Sequence, residues 1–488
     1  MTRRWLWLPA IAVLAAGCSA GSSHSTAQTS TKSPTEKPAA GWVRSDLKPV
    51  TQPESADGLL VLYVQAGGGL QVDALDPETG QTVWHDSASP GGITPGVPPV
   101  LGVAGSTVAY LRPVDSSSGA SEVVGVDAAT GRQLWHTATG MFEDWPAPCP
   151  DNPLDICTTG SLGQAQQTMA LRFRASDGAA AGAAVISQSP GGRSLGPDLF
   201  DPGTRSPEML LAVSGASVAW TRTLASVFPS PGLSSDNGWD FDLVPAAGLF
   251  VGSVSGAPVS TTGSSETIDL SQNMTAGFRI SDGTAVWRDP GTLFACGQPL
   301  PCPGGLPMTE QGLPYRAPTT GLRLRATGTA TVSQSALTPS LLPGADVVVE
   351  GFDLATGKTL WSYNAGADGL LLSQTPPLLG TSVVALPAPG GGMVALNLAT
   401  GTHSPVPAGA ASWCEAPLTY TTQVGYQSQN GGSSLDYERI GQEAIKPCQA
   451  SGTAAAAPPT VPGFVGTDVD GLTVWSESSE VIAAPTSS

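Results

Sequence analysis

The side chains with chemistry to offer are cysteines, histidines and acids, and their spacing favours cross-linking over catalysis. Six of the seven cysteines fall as near neighbours: Cys149 with Cys157, Cys296 with Cys302, and Cys414 with Cys448. Local loop closure favours these three disulfides, which would place the chain in an oxidising compartment. The alternative is a metal site, which would draw in histidine or further thiols. His24, His85, His136 and His403 do not cluster with the cysteines. His85 and His136 each directly follow a tryptophan, at equivalent places in a repeated pattern, so they read as strand residues. The stretch Asp236-Asn237-Gly238-Trp239-Asp240-Phe241-Asp242 carries oxygen ligands of the kind Ca²⁺ prefers. Its spacing is not that of a calcium-binding loop, and the other reading is a solvated loop. Asn273-Met274-Thr275 has the form of a glycosylation acceptor. The chain has no G-x-S-x-G elbow, H-E-x-x-H helix or phosphate-binding loop. No catalytic, cofactor-binding or metal residue is assigned.

The elements that would position these residues are announced by a repeat. Asp127-Ala128-Ala129-Thr130-Gly131 ends at Trp135, Asp76-Pro77-Glu78-Thr79-Gly80 at Trp84, and Asp353-Leu354-Ala355-Thr356-Gly357 at Trp361. Asn397 to Gly401 keeps the turn without the tryptophan. Arg279 to Gly283 keeps glycine and Trp287 but lacks the first Asp, and Ser176-Asp177-Gly178 is a weaker echo. Alternating apolar runs flank each copy, as antiparallel strands require. Asp accepts hydrogen bonds from amides two or three residues on, and glycine supplies the positive φ of a hairpin turn. A tryptophan at a fixed offset lands on one face of one strand, where it can wedge against the next unit. Trp84, Trp135, Trp287 and Trp361, with Gly80, Gly131, Gly283 and Gly357, are therefore docking residues between units. Trp42, Trp145, Trp239 and Trp413 stand outside that register and are candidates for partner contact or for packing under loops.

Successive turn glycines are 51, 47, 105, 74 and 44 residues apart, and repeats of about 40–50 residues are the length of a four-stranded propeller blade. The widest gap holds a degenerate unit around Leu210 to Trp220. The expectation is an all-β propeller of seven or eight blades, with eight preferred. A strand at Leu472 to Trp475 would complete the ring by pairing with N-terminal residues. Proline-rich Phe142 to Thr159 and Phe294 to Pro307 read as irregular insertions pinned by disulfides, and so as recognition loops.

The pattern A-x-D-x-x-T-G-x-x-x-W, complete from Ala74 to Trp84, resembles the PQQ-like propeller repeat shared by quinoprotein alcohol dehydrogenases and BamB-type lipoproteins. The resemblance extends in partial matches over residues 55–475. For a dehydrogenase it implies pyrroloquinoline quinone, a Ca²⁺ held by acidic and amide side chains, a catalytic Asp and a disulfide between adjacent cysteines. No Cys-Cys pair exists here. The expected reading is thus a non-catalytic propeller without a cofactor. A PQQ- and Ca²⁺-dependent dehydrogenase with an atypical site is the alternative.

At the N-terminus, Arg3 and Arg4 precede an apolar run from Trp5 to Ala16, shorter than the roughly 20 residues that span a bilayer. Residues 1–17 read as a secretory signal. Leu14-Ala15-Ala16-Gly17-Cys18 resembles a lipobox, with Cys18 as the acylated residue, although a plain signal-peptidase site would also fit. The paired arginines leave Sec and twin-arginine export both open. Residues 18–40, rich in Ser, Thr, Ala and Pro, form an expected disordered tether with a reach on the order of 25 Å. Residues 41–480 form the propeller, and 481–488 a disordered tail. The net charge of −18 makes nucleic acid and anionic lipid headgroups poor partners. Low Lys with abundant Ala, Gly and Pro resembles actinobacterial coding bias. The expectation is a lipid-anchored protein on the extracytoplasmic face of the cell membrane. It would bind an envelope protein, peptide or polymer through its pinned loops and one end of its funnel.

Overall fold

A computed structural model of the chain describes residues 41–486, apart from 94–96, 115–118, 164–166, 189–191, 205, 263–264, 297–299, 301–319, 334–335, 342–343, 367–374, 429–430, 454 and 456–465. The signal, Cys18, the tether and Cys302 lie outside the described residues. Among the described residues the only helical pieces are the single turns Leu224–Val227, Pro245–Ala247 and Leu270–Gln272. None is long and apolar enough to cross a membrane.

The fold is an all-β propeller of antiparallel four-stranded meanders. Unit 1 runs Glu54–Ala56, Leu59–Ala66, Gly69–Leu75 and Thr82–Ala88, each strand pairing with the next. The same order recurs in units 2 (102–136), 3 (140–187), 4 (193–223), 5 (233–290), 6 (292–364) and 7 (378–406). Unit 8 is assembled from both ends of the chain. Thr467–Val469, Leu472–Glu477 and Glu480–Pro485 are joined by Trp42–Arg44, with Trp42 opposite Ala483 and Arg44 opposite Val481. This corrects two expectations: residues 481–485 are a strand, not a tail, and they, not Leu472 to Trp475, receive the N-terminal strand. Val481 and Ala483 are buried, so leaving this segment in solvent would expose an apolar face.

The turns form as their composition dictates. Asp76 Oδ1 accepts from Thr79 N at 2.8 Å and Thr79 Oγ1 at 2.8 Å, while Gly80 N donates to Asp76 O at 2.8 Å with φ of +69°. Asp127 and Asp353 repeat this with Thr130 and Thr356. Where the first position is Arg174 or Arg279, the Asp just before the glycine compensates: Asp177 accepts from Ala179 N and Asp282 from Thr284 N.

Each docking tryptophan lies against the turn glycine of the following unit, and all but Trp361 donate the indole N–H to the carbonyl three residues before that glycine. Trp84 donates to Ala128 O at 2.7 Å, Trp135 to Ala175 O at 2.6 Å and Trp287 to Leu354 O at 3.0 Å. Trp361 lies on Gly401, and its buried Nε1 has no partner. Two further tryptophans do the same. Trp42 donates to Pro77 O at 2.8 Å and covers Gly80; Trp220 donates to Ile280 O at 2.7 Å and covers Gly283. Trp42 is thus a docking residue in its own right, contrary to its sequence reading.

Insertions decorate this frame. Ser260–Thr262 and Ser265–Asp269 from unit 5 join Thr329–Ser333 and Ala336–Leu341 from unit 6 in one extra sheet, with Ser265 opposite Ser333. Residues 142–159, expected to be irregular, contain the strands Ala147–Cys149 and Asn152–Leu162. Pro148 is accommodated because its short strand pairs on one side only. The Cys149–Cys157 disulfide closes this hairpin and Cys414–Cys448 a longer one. Cys296 is also disulfide-bonded.

Candidate binding face

The longest hairpin, Ala411–Ser428 with Gly431–Gln449, follows unit 7 and pairs onto that unit's first strand, Leu378 opposite Trp413. It therefore lies on the edge opposite the one that carries the docking tryptophans. From there it meets the second strand of unit 8 and the segments that lead into the first strands of units 1 and 2. Trp413 is buried edge-on against Trp475 of unit 8, ring centres 5.7 Å apart. Gln442 takes Gln52 N on its Oε1 at 2.8 Å and donates Nε2 to Pro99 O at 2.9 Å, just before the first strand of unit 2. Gln52 completes the joint, donating to Glu443 O at 2.7 Å and accepting from Ser476 N at 2.8 Å. Arg439 donates Nη1 to Ile93 O at 2.7 Å and Nε to Thr422 Oγ1 at 2.9 Å.

Beneath the hairpin, Tyr420 joins the core that holds Tyr63, Tyr110 and Trp145. Tyr63 and Trp145 rings stand 5.4 Å apart. The Tyr63 hydroxyl and one Glu54 oxygen are buried without a hydrogen-bond partner. Burial pushes the Glu54 carboxyl up to about 8. Burial, and then the neighbouring Glu443, pushes Glu415 up to about 8. In both cases burial favours the neutral form of the carboxyl. The other polar groups here are occupied with backbone carbonyls and with one another.

The remaining predicted residues are dispersed. Asp236 to Asp242 lies within the strand Leu233–Val244, with residues 236–238 in a bulge between the paired Ser234 and Trp239, and Trp239 to Asp242 paired with the next strand instead of looping. Asp236 pairs with Arg193 at 2.8 Å, and the Arg193 guanidinium sits 4.3 Å from the Trp239 ring centre. Among the described residues no group of three or more His, Cys, Asp or Glu is placed to hold a metal ion. His136 pairs with Glu122 at 2.7 Å on an exposed strand, and His403 lies 5.1 Å from the Tyr363 ring. Asn273 is buried, donating to Leu270 O. Of the four tryptophans outside the docking register, Trp145 and Trp413 are buried and Trp42 docks, whereas Trp239 is 40% exposed. Leu154, beside the Cys149–Cys157 turn, is 63% exposed. These two large apolar side chains are displayed on built elements, one on a strand and one on a disulfide-closed hairpin.

Sequence reading missed Trp42 and Trp220, whose shared feature emerges only from strand register. The residue opposite every docking tryptophan is small: Ala74 for Trp84, Gly125 for Trp135, Ala212 for Trp220, Gly277 for Trp287, Gly351 for Trp361 and Ala483 for Trp42. A Cβ at Gly125 would meet the Trp135 ring at 2.1 Å. The indole lies across that position before it reaches the next unit.

The family described as outer membrane protein assembly factor BamB matches residues 35–143. No curated protein matches the chain. Among solved structures, BamB from Moraxella catarrhalis is 12% identical, with a TM-score of 0.34, covering 92% of this chain and 98% of its own. A europium-containing methanol dehydrogenase is 11% identical over 81% of this chain and 85% of its own, with a TM-score of 0.38. Quinohemoprotein alcohol dehydrogenase from Comamonas testosteroni is 13% identical over 86% and 77%, with a TM-score of 0.32. At these values the structural likenesses carry no argument about activity.

Proposed function

We propose that this protein, a PQQ-like repeat propeller, is an eight-bladed, non-catalytic scaffold. It is anchored by acylated Cys18 to the extracytoplasmic face of the cell membrane, and it binds an envelope protein, peptide or polymer without a cofactor. The observation that carries this reading is the hairpin 411–449, paired to the first strand of unit 7, packed on unit 8 and bonded to the segments entering units 1 and 2. Gln52, Gln442 and Arg439 are bonded within that packing. What remains available for recognition is the outer display of the pinned hairpin at Cys149–Cys157 and the strand bearing Trp239. Aromatic side chains offered on rigid elements suit a partner's pocket because little conformational entropy is lost on docking.

The test is affinity capture from intact membranes with the full acylated chain, beside Trp239→Ala and Leu154→Ser variants. The reading expects a specific partner held by the parent and weakened at least tenfold in one variant. Micromolar binding of pyrroloquinoline quinone with Ca²⁺, accompanied by dye-linked alcohol oxidation, would overturn it. Independently, Cys18→Ala is expected to release the protein into the medium, scored by blotting membrane and culture fractions.

A further inference from the structure

Tryptophan contacts join most neighbouring units, and the exceptions divide the body. Trp42 links unit 8 to unit 1, Trp84 unit 1 to 2, and Trp135 unit 2 to 3; Trp220 links unit 4 to 5, Trp287 unit 5 to 6, and Trp361 unit 6 to 7. Counted four residues past the turn glycine, the docking position is Gly182 in unit 3 and Pro405 in unit 7. The body is thus two groups of four units, each laced by three tryptophans, meeting at two seams without one.

The two seams are not equivalent. Between units 7 and 8 the long hairpin takes over. Trp413 packs on Trp475, Ile445 shares their core cluster, and the Cys414–Cys448 disulfide fixes the hairpin's base. Between units 3 and 4 nothing comparable is present among the described residues. Gly182 rests against the turn residue Ala216, so closely that a Cβ there would meet the Ala216 Cβ at 2.7 Å. The apolar contact is a small separate cluster of Ala184, Ile186, Phe200, Leu211 and Val213. The core of units 1–3 and that of units 4–5 end on either side of it. Removing a large indole from such a contact forfeits a major part of the area that drives units together.

We propose that the seam between units 3 and 4 is a built-in weak joint, at which the body parts locally while its other seams stay shut. Native proteins open in cooperative blocks whose boundaries follow the least buried contacts, and this seam is such a boundary. Parting there presents Phe200, Leu211 and Val213 to solvent while both four-unit groups keep their tryptophan contacts.

The experiment is thiol labelling of the full native chain, with the labelled position located by peptide mass spectrometry. Ala184→Cys reports on the seam between units 3 and 4, and Ala276→Cys and Ala109→Cys report on tryptophan-linked cores; all three side chains are buried. Each rate is compared with the rate expected from that variant's own global unfolding, measured by denaturant titration. The proposal expects the thiol introduced by Ala184→Cys to label at least tenfold faster than global unfolding allows, with the other two sites at the global rate. Should Ala184→Cys not fold, Ser187→Cys, buried at the end of the same strand, takes its place. Labelling of the seam site at the global rate, or faster labelling at position 276 or 109, overturns it.

Discussion

At the scale of the residue, the docking tryptophan works through three contacts: the turn glycine it covers, the carbonyl it bonds and the small residue it crosses. Trp135 is nearly fully buried, so Trp135→Ala is expected to cost about 3–5 kcal/mol in denaturant titration. Gly125→Ala places a methyl within the indole and is expected to cost about 1–3 kcal/mol through overpacking. The carbonyl contact separates two otherwise similar sites. Trp84→Phe leaves Ala128 O without its donor, whereas Trp361→Phe removes an N–H that has no partner. The first substitution should therefore cost about 1–2 kcal/mol more than the second. Equal costs would show that the indole N–H adds nothing to the packing.

At the scale of the element, one carboxylate near the third and fourth units has a readable pH signature. Asp198 sits in the turn between the first two strands of unit 4 with φ of +58°. Burial, and then Asp151, pushes its carboxyl from 3.8 up to about 6, against the pull of Arg172. The folded state binds this proton more tightly than the unfolded chain does. Its contribution to stability is therefore full below pH 4 and is lost as pH rises through 6. Asp198→Asn removes the ionisation, and Asn tolerates the left-handed backbone. The substitution is expected to raise stability by about 1–3 kcal/mol at pH 7.5 and by much less at pH 4, measured as paired thermal melts. A gain of the same size at both pH values would assign the effect to the backbone.

At the scale of the whole molecule, the strands Trp42–Arg44 and Glu480–Pro485 close one sheet from opposite parts of the sequence. Deleting residues 480–488 removes the strand that carries Ala483 opposite Trp42 and borders Leu472–Glu477. Circular dichroism and thermal unfolding of the truncated chain should show loss of the cooperative transition. A disordered tail could be removed without effect, so the deletion distinguishes sharply between the two descriptions. Trp42 would lose its strand partner in the same variant, and with it the contact to Pro77 and Gly80.

The sequence alone determined the repeating unit, its turn chemistry and most of the docking residues, because those depend on interactions within a dozen residues. An Asp bonding amides two and three places on, a glycine at positive φ and a tryptophan at fixed offset are local facts. The close spacing that suggested pairing Cys149 with Cys157 is equally local. Trp42 and Trp220 stayed hidden because they dock without the Asp-x-x-Thr-Gly turn in front of them, and their small partners, Ala483 and Ala212, are recognised only once strand register is known. Tertiary structure alone decided that the last strand closes the eighth unit and that Trp239 to Asp242 pair as strand. It also decided that a hairpin more than 300 residues from Gln52 in sequence is bonded to it. Those outcomes rest on which apolar faces meet and which buried amides find partners, and both are settled only when distant segments are packed together.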